Sequence, residues 1–296
     1  FHEKMEKMNH RWFIIGGMPR AGTTFLYHTL QKHPGLFLPY RKEINFFYEN
    51  FHKGPDWHLE FFKGIEPEQI AVDITPHYFL YSEIAARIRE SLQDVRVLLG
   101  IRRPSEFVIS SYYQQKRRRS KMPPFREFCQ KKWLKSGEIF EDYFVPNRMR
   151  DYMEVFKNDL LLFDFSRFQL DPLVILLGIE KFLELDAYFS PDNFQKVRIN
   201  TNTRKESALL WKFWRFVEKP WVQSIVGKTI PSKFVKKVRS RIDYNAAVKG
   251  QGGAEMGYAH QEIVCLARKL FREQDIFVEE FFNGSTFVTG TGKPWS

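Results

Sequence analysis

Short apolar runs alternate with helical patterns from residue 12 to residue 183, and this alternation constrains the fold more than any other feature of the chain. The first run, Trp12–Gly17, is followed directly by a helical pattern over 22–33. Strands that alternate with helices form βαβ units and therefore a parallel sheet. The pattern predicts an α/β fold with strands at 12–17, 70–74, 95–101 and 160–165 and helices at 22–33, 81–92, 105–119, 148–156 and 172–183.

The rest of the chain is predicted to be mainly helical. Apolar residues recur at helical spacing over 207–217 and over 260–282, and a glycine-rich stretch at 236–257 between them is predicted to be a loop. A length of 296 residues is compatible with one large α/β domain. We expect a single domain over 1–296, with a sheet-containing core at about 11–185 and a helical part at about 186–296.

The charge of the chain indicates an anionic partner. It has 46 Lys and Arg against 35 Asp and Glu, a net charge of +11. Such an excess suits nucleic acid, a phosphorylated cofactor, an anionic polysaccharide or a membrane surface alike. No apolar run approaches the roughly 20 residues that span a bilayer, so we expect no membrane span. The only two cysteines, Cys129 and Cys265, form neither a disulfide framework nor a zinc motif, and no metal site is expected.

A glycine-bearing turn connects the first predicted strand to the first predicted helix. Its sequence over 16–24 is Gly-Gly-Met-Pro-Arg-Ala-Gly-Thr-Thr. A strand, such a turn and a helix N-terminus direct backbone N–H groups at one point, which suits a phosphate. Compared with a Walker A loop, Gly17, Gly22 and Thr24 have the required spacing, but Thr23 replaces the lysine. The cation is instead Arg20, within the loop, where it can neutralise charge on a leaving oxygen.

The segment 19–24, Pro-Arg-Ala-Gly-Thr-Thr, resembles the 5′-phosphosulfate loop of sulfotransferases that use 3′-phosphoadenylyl sulfate (PAPS). That family has Lys or Arg at the position of Arg20. The resemblance implies a P-loop-type central parallel sheet flanked by helices, with PAPS as the cofactor and 3′,5′-phosphoadenosine (PAP) as the product. It implies cofactor contacts from Arg20, Ala21, Gly22, Thr23 and Thr24.

A second segment, Arg-Arg-Pro-Ser-Glu-Phe-Val-Ile-Ser at 102–110, matches the family signature for the nucleotide 3′-phosphate. The resemblance gives this role to Arg102, at a strand end, and Ser110, in the following helix. Pro104 suits a first helical turn, and Ser110 shares a polar stripe with Glu106. Two phosphate sites at the carboxyl ends of neighbouring strands lie where an open α/β sheet binds a nucleotide.

Sulfuryl transfer needs an acceptor in line with the sulfur, a base, and cations that stabilise the leaving phosphate. The segment 42–47, Lys-Glu-Ile-Asn-Phe-Phe, resembles the Lys-Glu-x-x-Phe-Phe segment of heparan-type and bacterial carbohydrate sulfotransferases. The resemblance implies that Glu43 is the general base, that Lys42 lies beside the transferring group and that Arg20 receives charge from the leaving group.

Other residues compete for roles on the acceptor side. Small-molecule sulfotransferases use a histidine base, and His33 is the rival to Glu43, although its place at a helix end before a proline favours a capping role. The segment 72–79 resembles a family strand end that faces the acceptor, which makes Asp73, Thr75 and His77 candidate acceptor-side residues. Ile74 stands where heparan-type enzymes commonly have a lysine, which argues against heparan itself as the acceptor.

The sequence thus predicts a metal-independent PAPS sulfotransferase acting on a glycan or other hydroxylated acceptor, anionic or polyhydroxylated. The part at about 186–296 would cover acceptor and cofactor, with Lys249 as a loose candidate for a lysine over the nucleotide. No nucleic-acid partner is expected, and the oligomeric state is open. A bacterial cytoplasmic location is expected, with a Golgi luminal domain without its anchor as the alternative.

Two other functions compete with this hypothesis. A P-loop nucleotide phosphotransferase is disfavoured because Thr23 replaces the Walker lysine and because Arg102 and Ser110 match a different signature. A basic nucleic-acid-binding module is disfavoured because no recognised nucleic-acid motif is present and the basic clusters lack regular aromatic interleaving. A requirement for Mg²⁺ and ATP would support the first, and salt-sensitive nucleic-acid binding independent of Arg20 would support the second.

Overall fold

A computed structural model of the chain describes residues 10–119, 121–135, 138–139, 144–194 and 258–295. Its strands, in chain order, are β1 (Trp12–Gly17), β2 (Leu36–Phe37), β3 (Ile70–Ile74), β4 (Val95–Ile101), β5 (Leu134–Lys135), β6 (Glu138–Ile139), β7 (Leu160–Asp164), β8 (Phe287–Thr289) and β9 (Pro294–Trp295). Its helices are α1 (Thr23–Leu30), α2 (Gly54–Leu59), α3 (Ser82–Ser91), α4 (Pro104–Arg118), α5 (Phe125–Lys132), α6 (Val145–Phe156), α7 (Phe165–Leu170), α8 (Pro172–Leu183), α9 (Tyr258–Leu270) and α10 (Arg272–Phe282).

Seven strands form one mostly parallel sheet in the order β2-β3-β1-β4-β7-β8-β9. The first five of these pair in parallel, and β8 and β9 are added antiparallel at one edge. Every residue of β1 is buried, as in a strand covered on both faces, which explains its continuous apolar sequence. The predicted α/β fold with a central parallel sheet is confirmed.

The chain leaves β1 and β4 in opposite directions. From β1 it passes through α1 to β2 and β3 on one side of β1, whereas from β4 it passes through α4 towards β7 on the other side. The carboxyl ends of β1 and β4 therefore flank a topological switch point. Open α/β sheets bind their ligands in the crevice at such a point.

The C-terminal part differs from its prediction in two respects. The helix predicted over 260–282 is two helices, α9 and α10, and the buried Phe271 lies between them with non-helical backbone angles. The strands β8 and β9 had not been predicted, because runs of two or three residues are too short for a periodic pattern. The helix predicted at 207–217 and the loop with Lys249 lie outside the described residues, so the single-domain organisation stays a prediction.

Candidate active site

The loop after β1 has the backbone of an anion-binding turn. Gly17, Arg20 and Gly22 have positive φ angles of 111°, 72° and 84°, which bend the chain sharply before α1. Within the described part of the chain, no side chain caps the N-terminus of α1. The first-turn amides of Thr23 and Thr24 therefore offer donors at the positive end of the helix dipole. The Ala21 amide differs, since it donates to Met18 O within the loop at 3.2 Å.

The glycines of this loop allow close contact with neighbouring elements. A Cβ atom on Gly17 would lie 2.4 Å from the backbone nitrogen of Gly100 in β4. A Cβ atom on Gly22 would lie 2.6 Å from the ring of Phe168 in α7. The loop is thus packed against the ends of both β4 and β7, and a side chain at either position would push it away.

The two predicted phosphate loops meet in the folded protein. Arg20 Nε donates to Ser110 Oγ at 3.2 Å, and Arg102 Nη1 donates to the backbone oxygen of Arg20 at 3.3 Å. Arg20, Ser110 and Arg102 are half-buried, whereas Val108 and Tyr112 face the core. Two guanidinium groups and a hydroxyl thus lie together at the switch point between β1 and β4.

Arg102 is held by several neighbours. Its Nε donates to Glu106 Oε2 at 3.2 Å, and its guanidinium lies over the ring of Phe165 with 4.8 Å to the ring centroid. Desolvation lowers the pKa of Arg102 from its ordinary value, and the Glu106 carboxylate opposes that shift. Arginine remains protonated in proteins, so Arg102 supplies a partly dehydrated positive charge.

Lys42 and Glu43 lie at the same edge of the sheet. The Glu43 amide donates to Ile74 O, the last carbonyl of β3, at 3.1 Å, and the Thr75 amide donates to Ile15 O of β1. Lys42 Nζ contacts Glu43 Oε1 in an ion pair. The side chain of Glu43 is 38% exposed, so it is open to a substrate, whereas that of Lys42 is 16% exposed.

The segment that carries Glu43 is fixed by strained backbone and by buried contacts. Glu43 and Asn45 both have positive φ, at 60° and 56°, a conformation that costs non-glycine residues energy and is common at functional sites. The Phe47 amide donates to the hydroxyl of Tyr78 at 3.3 Å, and Arg87 Nη1 donates to Phe47 O at 2.6 Å. These contacts hold the segment against the residues that follow β3.

The candidate acceptor-side residues occupy different environments. Asp73 and Thr75 are fully buried, and Asp73 accepts hydrogen bonds from Thr75 Oγ1 at 2.8 Å and from the Tyr78 hydroxyl at 2.7 Å. The structure therefore places both in a buried network beneath the Glu43 segment. His77 is half-buried, in the 3-10 helix Pro76–Leu80, and its Nδ1 has no partner among the described residues.

His33, the alternative base, lies away from this edge. Its Nδ1 accepts from the Gly35 amide at 3.1 Å, and its Nε2 lies 3.5 Å from Glu180 Oε1. The oxygen of Gly35 accepts from the amide of Ile70, the first residue of β3, so His33 lies near the amino end of that strand. This geometry agrees with a role at the end of α1.

Sequence reasoning missed the aromatic residues Phe165 and Phe168 of α7. Both are buried, and they contact Arg102 and Gly22 respectively. The position of Phe165 in the sequence could have indicated its role, because it directly follows the strand β7, which pairs with β4 in the parallel sheet. The carboxyl ends of neighbouring parallel strands lie side by side, so the residue after β7 had to lie near Arg102.

The chain is similar to known sulfotransferases over part of its length. No family model matches the chain. The membrane-associated sulfotransferase kil1 of Dictyostelium discoideum is 33% identical over 117 residues, which cover 38% of this chain and 25% of that protein. Heparan sulfate glucosamine 3-O-sulfotransferase 5 of Homo sapiens is 33% identical over 103 residues, covering 34% of this chain and 30% of that protein. The chain resembles sulfotransferases.

The fold of this sulfotransferase-like chain has a counterpart among solved structures. A sulfotransferase from Alicyclobacillus acidocaldarius superimposes with a TM-score of 0.55 at 20% identity, covering 74% of this chain and 96% of that one. The resemblance predicted from residues 19–24, 102–110 and 42–47 is thus confirmed at the level of family likeness and fold. The matched segments span a quarter to a third of the length of these curated relatives.

Among the helices that the structure describes, none is both long enough and apolar enough to cross a bilayer.

Proposed function

We propose that the chain transfers the sulfuryl group of PAPS to a hydroxyl or amine of a carbohydrate acceptor. The observation that carries the proposal is the cluster of Arg20, Ser110 and Arg102 at the switch point, with Glu43 at the carboxyl end of β3, the neighbour of β1. The similarity to sulfotransferases supports the same chemistry. A phosphotransferase has no comparable support, since Thr23 stands at the position of the Walker lysine.

The residues at this edge fit a nucleotide that carries anionic groups at both its 5′ and 3′ positions. Arg102 and Ser110 would hold the 3′-phosphate, while Arg20 and the first-turn amides of Thr23 and Thr24 would hold the 5′-phosphosulfate. PAPS, when bound, supplies an activated sulfuryl group with a phosphate as its leaving group. The positive charge of Arg20 would lie where negative charge grows on that phosphate.

Glu43 would act as the general base. Its exposed carboxylate would accept the proton from the acceptor oxygen or nitrogen as that atom attacks the sulfur. Lys42, in contact with Glu43, would keep a positive charge beside the transferring group. The backbone bond from Glu43 to Ile74 would fix the base relative to the phosphate loop, because β3 and β1 are paired strands.

A glycan is the acceptor that we favour. The named substrate of one curated relative is heparan sulfate, and the net charge of +11 suits an anionic polysaccharide. Ile74 is an apolar residue at the end of β3, where the heparan-type resemblance leads us to expect a lysine. We therefore propose a carbohydrate other than heparan itself.

The cofactor assignment is tested by calorimetric titration of PAP into the whole chain with EDTA present. Binding should be unaffected by EDTA and at least about tenfold weaker in Arg20→Ala and in Arg102→Ala, a loss of about 1.4 kcal/mol or more. Arg126→Ala removes an exposed cation on α5 and is the matched control, which should bind like the wild type. Absence of PAP binding by the folded wild type, or an equal loss in the control, would overturn the assignment.

Transfer itself is tested with ³⁵S-labelled PAPS and a panel of acceptors. The panel contains heparan sulfate, its desulfated form, a neutral polysaccharide and a simple phenol. Label in a polysaccharide supports the carbohydrate assignment, and label only in the phenol contradicts it. Label only in heparan sulfate would contradict the proposal of a carbohydrate other than heparan. Replacement of PAPS by ATP and Mg²⁺ tests the phosphotransferase alternative in the same assay.

A further inference from the structure

The ring of Phe165 lies against the guanidinium of Arg102, with 4.8 Å from Cζ to the ring centroid. A cation within about 6 Å of an aromatic centroid is attracted to the face of the ring. Phe165 begins α7, directly after β7, and its side chain is buried. The contact therefore comes from a third strand end, that of β7, which pairs with β4.

Phe165 is itself held in place. Its ring stacks on Phe168 at 5.6 Å between centroids, and Phe168 packs edge-on against Phe25 of α1 at 5.3 Å. Phe168 also fills the space beside Gly22. The ring under Arg102 thus belongs to an aromatic cluster that is anchored on the phosphate loop and its helix.

The contacts of Arg102 are of two kinds, hydrogen bonds from its N–H groups and a contact with an aromatic ring. Glu106 and the carbonyl of Arg20 accept hydrogen bonds from its N–H groups, whereas Phe165 contacts the guanidinium without accepting from any of them. An arginine recognises phosphate through paired N–H groups in the plane of the guanidinium. Contact with the ring restrains the side chain and uses none of these donors, so it lowers the entropy cost of ordering Arg102 when an anion binds.

We propose that Phe165 positions Arg102 for the nucleotide 3′-phosphate and thereby sets the preference of the site for nucleotides that carry this group. The inference rests on the proposed function. Phe165 is a positioning residue, because it acts through Arg102. Loss of the Phe165 ring should weaken the binding of nucleotides that carry a 3′-phosphate and leave the binding of those without one nearly unchanged.

The test compares PAP with 5′-AMP, which lacks only the 3′-phosphate, on the whole chain. Phe165→Leu removes the ring and keeps an apolar side chain, and Phe165→Tyr keeps the ring as a matched control. PAP is titrated directly, and 5′-AMP is measured by competition with PAP. Phe165→Leu should weaken PAP binding about tenfold and change the affinity for 5′-AMP by less than about twofold. Phe165→Tyr should bind both nucleotides like the wild type. Phe165→Met serves in its place if the leucine variant does not fold.

A double variant separates positioning from general packing. In the background of Arg102→Ala, Phe165→Leu should have no further effect on PAP, because the group through which it acts is gone. Equal weakening of PAP and 5′-AMP by Phe165→Leu, or full additivity in the double variant, would overturn the inference while leaving the proposed function intact. Failure of the wild type to bind PAP at all would overturn both.

Discussion

Arg20 Nε donates a hydrogen bond to Ser110 Oγ over 3.2 Å, although the two residues are 90 positions apart in the chain. The bond joins the turn after β1 to the helix after β4, and β1 and β4 are paired strands. Arg20 thus links the two segments that we assign to the 5′ and 3′ anionic groups of one nucleotide. A change at either residue should therefore weaken the contacts with both groups.

Ser110→Ala should lower the affinity for PAP about three- to tenfold. The variant loses a hydroxyl that would contact the 3′-phosphate and removes the acceptor of the Arg20 bond. A hydrogen bond to a charged group contributes roughly 1.5–3 kcal/mol, and water replaces part of that contribution at this half-buried position. Calorimetry with PAP measures the effect. Ser110→Thr keeps a hydroxyl and should lie near the wild type, and equal affinity of the alanine variant and wild type would contradict the prediction.

Much of the fold could be predicted because the core strands are buried on both faces. The mainly apolar runs at Trp12–Gly17, Ile70–Ile74 and Val95–Ile101 have the bounds that were predicted. The edge strands β8 and β9 depend on sheet pairing, of β8 with β7 and of β9 with β8, rather than on their own sequence, so no local pattern indicated them. The break at Phe271 was likewise not indicated locally, because the apolar periodicity continues across this buried residue from α9 to α10.

The candidate site was predictable where residues follow a strand end, and less so where contacts are made by distant parts of the chain. Arg20, Arg102 and Glu43 were found from local motifs, and all lie at the carboxyl edge of the sheet. The burial of Asp73 was not anticipated, because the sequence at a strand end is compatible with either an exposed or a covered carboxylate. The segment around Glu43 packs over Asp73, and only the tertiary structure shows this packing.

Gly17→Ala should destabilise the protein by about 3 kcal/mol or more. The added Cβ would lie 2.4 Å from the backbone of Gly100, and the φ of 111° is unfavourable for alanine. Gly54→Ala is the matched control, because Gly54 also has positive φ, at 79°, but has nothing within 4 Å of its Cβ position. The control should cost about 1–3 kcal/mol from the backbone alone, because Gly54 combines its φ of 79° with a ψ of 168°. Urea unfolding measures both, and similar losses would contradict the clash.

The stability of the protein should fall as pH drops below about 6.5, in part because of His58. His58 is fully buried, stacked on Phe46 with 4.3 Å between ring centroids, and its Nε2 lies 3.7 Å from Asp73 Oδ2. Burial lowers the pKa of His58, and the negative charge of the nearby Asp73 carboxylate opposes that shift in part. The unfolded chain then takes up a proton near pH 6.5 that the folded protein does not, so acid favours unfolding.

Urea unfolding between pH 7.5 and pH 5 measures this dependence. One histidine contributes a slope of at most about 1.4 kcal/mol per pH unit. His58→Phe keeps an aromatic ring against Phe46 and should reduce the slope, whereas His52→Gln, at an exposed position, should leave it unchanged. A slope that is the same in His58→Phe and wild type would show that the histidine does not titrate as proposed.

Glu43→Gln should abolish most of the transfer activity while leaving PAP binding within about twofold of the wild type. The amide keeps the shape of the side chain but cannot accept the acceptor proton, and loss of a general base lowers rates by about 10²–10⁴-fold. The measurement pairs ³⁵S transfer with calorimetry. Glu49→Gln changes an exposed carboxylate on the same segment, whose Oε2 lies 3.5 Å from Asn45 Nδ2, and should retain activity. An active Glu43→Gln enzyme would show that another group is the base, and His77, in the 3-10 helix after β3, would be the next residue to substitute.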